Sequence, residues 1–232
     1  MDYATPAYVG DRRNEGDTAL IMASHDGYAE VVKILVSAGA NVNHIRKDGG
    51  SALMAASQEG HIQVVQALIE AQADLNYAMP ANILMPEGEG ATALIYASQE
   101  GHAEIVEVLV SAGANVNHIK KDVFSALIWA SQEGHIQTVQ ALIEAQADLN
   151  YAMPANILEP QTEGATALIY ASEYGHTKVV KALLDANADV FHTAANGFTA
   201  LSIAIHFKHP AIVDMLKAHI AQKDTKLDGS SK

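Results

Sequence analysis

The string Ser/Thr-Ala-Leu recurs six times, with its Leu at Leu20, Leu53, Leu94, Leu127, Leu168 and Leu201. The spacings are 33, 41, 33, 41 and 33 residues. A 33-residue unit is therefore nested in a doubled unit of 74, in which every second connection carries eight more residues. The copies are close: Ser57–Leu84 and Ser131–Leu158 differ only where Val64 becomes Thr138. A fixed period of this size specifies a solenoid, because one small unit cannot bury its apolar face without a neighbour.

Each unit reads as two helices. Ser51 is a good N-cap for a short helix over Ala52–Gln58, and Thr18, Thr92, Ser125, Thr166 and Thr199 hold the same place. Gly60 closes that helix, as Gly27, Gly101, Gly134 and Gly175 do, since glycine enters the left-handed region freely. Ile62, Val65, Leu68 and Ile69 then mark one face of a second helix. The small residues Ala52, Ala55 and Ala56 allow close packing of the first helix. The expected fold class is all-α.

Asp48-Gly49-Gly50-Ser51-Ala52-Leu53-Met54-Ala55-Ala56, Gly60-His61, Val64-Val65, Leu68-Ile69 and Ala73-Asp74-Leu75-Asn76 together resemble the ankyrin repeat. The resemblance covers about residues 14–220 in six copies, near 14–46, 47–87, 88–120, 121–161, 162–194 and 195–220. It leaves 1–13 as an N-terminal leader and 221–232 as a flexible polar tail. It implies stacked helix pairs with projecting finger loops or β-hairpins, and protein binding through the fingers and the concave face of the first helices. Some positions depart from the family. Thr-Pro-Leu-His becomes Thr/Ser-Ala-Leu followed by Ile, Met or Ser, which removes a hydrogen-bonding group, adds apolar packing and leaves open whether polar bonds join the repeats. Val123 stands where the finger carries Gly, and Gln72 and Gln146 replace the Gly of Gly39 and Gly113. Lys208-His209-Pro210 replaces Gly-His in the last copy, as suits a terminal cap.

Composition narrows the partners. With 14 Lys+Arg against 27 Asp+Glu the chain carries −13, which disfavours a phosphate backbone or an anionic membrane. A protein partner with a basic or apolar surface fits, and the chain is expected to act as a monomer. Cysteine is absent, so thiolate metal sites and disulfides are excluded, which suits a reducing compartment. No secretory signal pattern and no run of eighteen apolar residues appear. A cytoplasmic protein is the expectation, with secretion into a host cell as an effector the alternative.

Little here suggests chemistry. His61, His102, His135 and His176 hold the Gly-His position and read as structural. His44, His118 and His192 recur every 74 residues, so layers about 10 Å thick keep them roughly 20 Å apart, too far to share an ion. His206 and His209 lack a carboxylate at ligand spacing. Gly88-Glu89-Gly90-Ala91-Thr92-Ala93 mimics a dinucleotide turn, but the strand that should precede it is missing. Ser, His and Asp repeat in register six times, whereas an active site is one constellation. No enzyme, cofactor or metal is expected.

Large side chains on the expected groove are the binding candidates. The position after Leu-Ile/Met holds Met22, Ala55, Tyr96, Trp129, Tyr170 and Ile203, of which Met22, Tyr96, Trp129 and Tyr170 can anchor a partner. Phe124 and Phe198 extend the stripe towards the fingers, and Tyr174 lies one turn beyond Tyr170. Glu59, Glu100 and Glu133 supply an acidic margin. The long connections Tyr77–Pro86 and Tyr151–Pro160 add Met79, Ile83, Leu84, Met153, Ile157 and Leu158, apolar side chains that either fold back on the neighbouring fingers or await a partner. The functional expectation is a scaffold or inhibitor module. The alternatives are the targeting arm of a larger enzyme or effector, or a structural or designed solenoid without an evolved ligand. The helix pairs predict a far-ultraviolet circular dichroism spectrum dominated by helix; a strand-dominated spectrum would refute the architecture.

Overall fold

The computed structural model describes residues 16–81, 88–121, 124–154 and 163–229, with side chains described as far as Lys223. Ile83, Leu84, Val123, Ile157 and Leu158 lie outside the described residues. The helices are α1 (Ala19–His25), α2 (Ala29–Ser37), α3 (Ala52–Gln58), α4 (Ile62–Glu70), α5 (Ala93–Gln99) and α6 (Ala103–Ser111). They continue with α7 (Ala126–Gln132), α8 (Ile136–Glu144), α9 (Ala167–Glu173), α10 (Thr177–Asp185), α11 (Ala200–His206) and α12 (Pro210–Gly229).

Two compact units result, 1–126 and 127–232. In the first, α1 packs on α3 and α3 on α5, while α2 packs on α4 and α4 on α6. In the second, α9 packs on α11, and α10 packs on both α8 and α12. Each unit is thus a succession of helix pairs whose apolar faces, such as Leu53, Val65 and Leu68 or Leu168, Val180 and Leu183, are buried by their neighbours. Among the described residues there is no sheet, only single antiparallel bridges at Ile45–Ser51, Ile119–Ser125 and Thr193–Thr199 that close the short fingers.

The first helices begin as the sequence requires. Thr18, Ser51, Thr92, Thr166 and Thr199 each accept a bond from the backbone N–H three residues on, satisfying a donor that the helix leaves open. Their ends bring in the next repeat. Gly60 has φ +81°, and a Cβ there would lie 2.6 Å from the His102 ring. Glycine is needed twice over, for the left-handed turn and for the ring laid against it. That ring donates from Nε2 to the Gln58 carbonyl at the end of α3, at 3.0 Å. His61 does the same to His25 (2.8 Å), His176 to Gln132 (2.7 Å) and His209 to Glu173 (2.8 Å). A carbonyl only accepts, so the proton sits on Nε2.

A second ladder ties the fingers. Asn43, Asn76 and Asn150 accept through Oδ1 from the backbone N–H of Asp74, Asn115 and Asp189, each at 2.8 Å. Rings at His44, His118 and His192 bond the carbonyls of Gly16, Gly90 and Gly164. Polar bonds therefore join successive repeats. Losing the histidine of the first helix removes one donor, but the histidine before each second helix and the finger asparagines supply others.

α12 runs twenty residues, to Gly229, where a flexible tail was expected from residue 221. Alanine, glutamine, lysine and leucine favour helix, and no glycine or proline interrupts the run before Gly229.

The turn after the second helix demands a left-handed residue whatever its identity. Gly39 and Gly113 have φ +88° and +104°, and Gln72 and Gln146, in the same register, are held at φ 62° and 61°. A side chain in that region costs about 1–2 kcal/mol, part of which glycine's greater unfolded freedom takes back. Gln72→Gly is expected to stabilise the protein by about 0.5–1 kcal/mol, read as a rise in melting temperature; a fall would show that the Gln72 side chain makes compensating contacts.

Candidate protein-binding surface

The residues proposed from sequence fall into three classes of exposure. Met22 and Tyr174 are exposed, as are Glu59, Glu100 and Glu133 at the ends of their first helices. Tyr96, Trp129 and Phe198 are half-buried. Phe124 and Tyr170 are buried, and so are Met79 and Met153.

Tyr170 and Phe124 correct the reading of an exposed anchor stripe. Tyr170 is 5% exposed, on α9 between its partners α10 and α11, with the Tyr174 ring stacked on it at 6.5 Å. The position it shares with Met22 and Ala55 lies at the margin of helix packing, so exposure there depends on the neighbouring repeat. Phe124 occupies the finger base, where its carbonyl accepts from the Lys120 N–H. Of the two outcomes open to the long connections, Met79 and Met153 take folding back. Met79 exchanges backbone bonds with Ala91 and Gly90, and Met153 does so with Ala165 and Gly164, which closes the base of each long connection. The Met79 side chain reaches Gly49 and Gly88, where added Cβ atoms would lie 2.8 and 2.3 Å from it. The Tyr77 hydroxyl donates to the Gly49 carbonyl at 3.1 Å, and burial, aided by Asp48, raises its pKa.

What the second unit does expose is an aromatic and apolar group at the ends of α9 and α11. Tyr174 is 52% exposed and lies parallel to the His176 ring, 6.3 Å away. Phe207 and Ile205 are also exposed, and His206 is flanked by Phe198 at 5.6 Å and by Phe207 at 5.0 Å. Tyr174 and Phe207 cap their helices at the register that Asp26, Glu59 and Glu100 fill in α1, α3 and α5. Phe207, Ile205 and His206 were missed from sequence. Aligning residue 207 with Glu59 and Glu100 would have found the first.

Among the described residues no group of three or more histidines and carboxylates is placed to hold a metal ion. No described helix is long and apolar enough to cross a membrane. The family model described as ankyrin repeats (3 copies) matches residues 5–79, 79–153 and 152–226. The chain belongs to the ankyrin-repeat family. The three matches each span one doubled unit, so the 74-residue period is the natural length of the family signal here. No curated protein matches the chain. Ankyrin repeats are generally protein-interaction modules, and the proteins built from them are typically non-enzymatic scaffolds.

Glu173, the last residue of α9, is the ionisable group most affected near this surface. Burial raises its pKa, and the nearby His206 opposes the rise. Below the ordinary carboxylate range both folded and unfolded states hold the proton, so the group has no effect on stability. As pH rises the unfolded state ionises first, and stability falls until the folded group has ionised too. Glu173→Gln is therefore expected to raise the melting temperature at neutral pH and to change it little below about pH 4. An equal effect at both pH values would place the cause in packing.

Proposed function

We propose that this ankyrin protein binds another protein, as a scaffold or inhibitor, through the ends of its first helices and its finger loops. The observation that carries the reading is the exposure of Tyr174 and Phe207, in a register that the earlier repeats fill with carboxylates, with Ile205 exposed on the same helix as Phe207. Solvent gives no reason to hold large rings at successive helix ends, whereas aromatic side chains are the commonest anchors of protein interfaces. Met22 offers a further exposed contact in the first unit, and Tyr96, Trp129 and Phe198 offer partial ones. Ile83, Leu84, Ile157 and Leu158 belong to the proposal by their apolar chemistry within the long connections.

The partner has an apolar centre and a basic margin. Glu59, Glu100 and Glu133 and the charge of −13 favour cationic groups and disfavour nucleic acid and anionic lipid. The ankyrin family supports binding without catalysis.

The test is capture of partners by the wild-type protein and by the double variant Tyr174→Ala/Phe207→Ala. For a captured partner, the double substitution is expected to weaken binding by about 2 kcal/mol or more with the melting temperature nearly unchanged, because both rings are half in water already. Binding should also weaken with added salt. An unchanged affinity in the variant would remove these rings from the interface, and an affinity flat in salt would remove the acidic margin.

A further inference from the structure

In the first unit, two successive fingers and the start of α3 enclose a pocket of about 160 Å³. Val42 and Ile45 come from the finger before α3, Ala73 and Tyr77 from the connection after α4, and Ser51 and Leu53 from the start of α3 itself. The chain's own bonds fix these walls. Asn43 Oδ1 accepts from the Asp74 N–H at 2.8 Å, which ties the two fingers together. The Tyr77 hydroxyl donates to the Gly49 carbonyl, as the rings of His44 and His118 bond the carbonyls of Gly16 and Gly90 in the same register. One wall is therefore a phenol ring where those fingers carry an imidazole.

The chemistry of the lining selects the occupant. Its polar side chains already have hydrogen-bond partners within the chain: Ser51 Oγ accepts from the Met54 N–H and Asp74 Oδ1 from the Asn76 N–H, besides the bonds of Asn43 and Tyr77. A polar group entering here would leave water for few new partners, which is costly, whereas an apolar group gains by burial. The size agrees, since an apolar cavity of about 150 Å³ holds one benzene ring. Asp74 lines the pocket and is exposed, and the chain carries −13, so a cation beside the apolar group is favoured. Walls fixed in advance also lower the ordering cost of binding.

We propose that this pocket takes one leucine-sized apolar side chain of a partner protein, with a basic residue next to it in the partner paired to Asp74. The inference rests on the reading of this chain as a protein-binding module, and it gives the finger-loop contact of that reading a ligand chemistry.

Two acetylated peptide amides test this on the full chain: Gly-Lys-Leu-Lys-Gly, and the same peptide with serine in place of leucine. The methyl resonances of Val42, Ile45 and Leu53 are expected to shift saturably with the leucine peptide. That peptide should bind at least about tenfold more tightly than the serine peptide. Asp74→Asn, which keeps the acceptor for the Asn76 N–H, should weaken binding severalfold. Ala73→Leu fills the space from within and should abolish the response at an unchanged or raised melting temperature; if it melts earlier, Val42→Phe serves in its place. The Tyr174→Ala/Phe207→Ala protein should respond as the wild type does, so failure of the aromatic surface and failure of the pocket are read separately. Methyl resonances unmoved by the leucine peptide would overturn the proposal, as would equal affinity for the two peptides or an undiminished response in the filled variant.

Discussion

The hydrogen bond from a histidine ring to the last carbonyl of the preceding first helix is the contact on which each repeat unit depends. A seven-residue helix has few internal bonds, and its final carbonyls have no partner within it. The ring from the next repeat supplies one, and it lies flat against the glycine that turns the chain out of that same helix. One side chain therefore satisfies a helix end, fixes the approach of two repeats and makes glycine obligatory. Stability is shared between neighbours, which is the property of a solenoid.

The finger asparagines do the same work on the other side of the stack. Asn43 accepts from the Asp74 backbone, Asn76 from Asn115 and Asn150 from Asp189. The series ends at Phe191, which occupies the asparagine register in the last finger and is exposed. Polar ladders of this kind tolerate an apolar first helix, so the missing family histidine costs the stack little. The interior is less forgiving. The single difference between the duplicated segments places Thr138 where Val64 sits, both fully buried, and its hydroxyl has no partner among the described residues. Leaving such a group unpaired costs about 1–3 kcal/mol.

The register positions of the first helix differ in how freely they accept different side chains. The end of the first helix carries a carboxylate in α1, α3 and α5 and a ring in α9 and α11, without disturbing the helix. The backbone there is held by capping and by the next histidine, so the side chain is free to face solvent. The position of Tyr170 has no such freedom, because a neighbouring helix packs over it.

The sequence by itself determined the helix pairs, their caps, the six-fold period and the all-α class. These follow from local chemistry: a serine or threonine cap, a left-handed glycine and apolar residues at helical spacing. It also placed Tyr174 and the three glutamates on the surface, since residues at a helix end next to glycine have little to pack against. Only the tertiary structure decided that Tyr170, Phe124, Met79 and Met153 are buried, because their exposure depends on residues far away in the chain. It likewise showed α2 bare on one edge. Val31 and Val64 are the same amino acid in the same register, and what separates them among the described residues is whether another helix is packed on top.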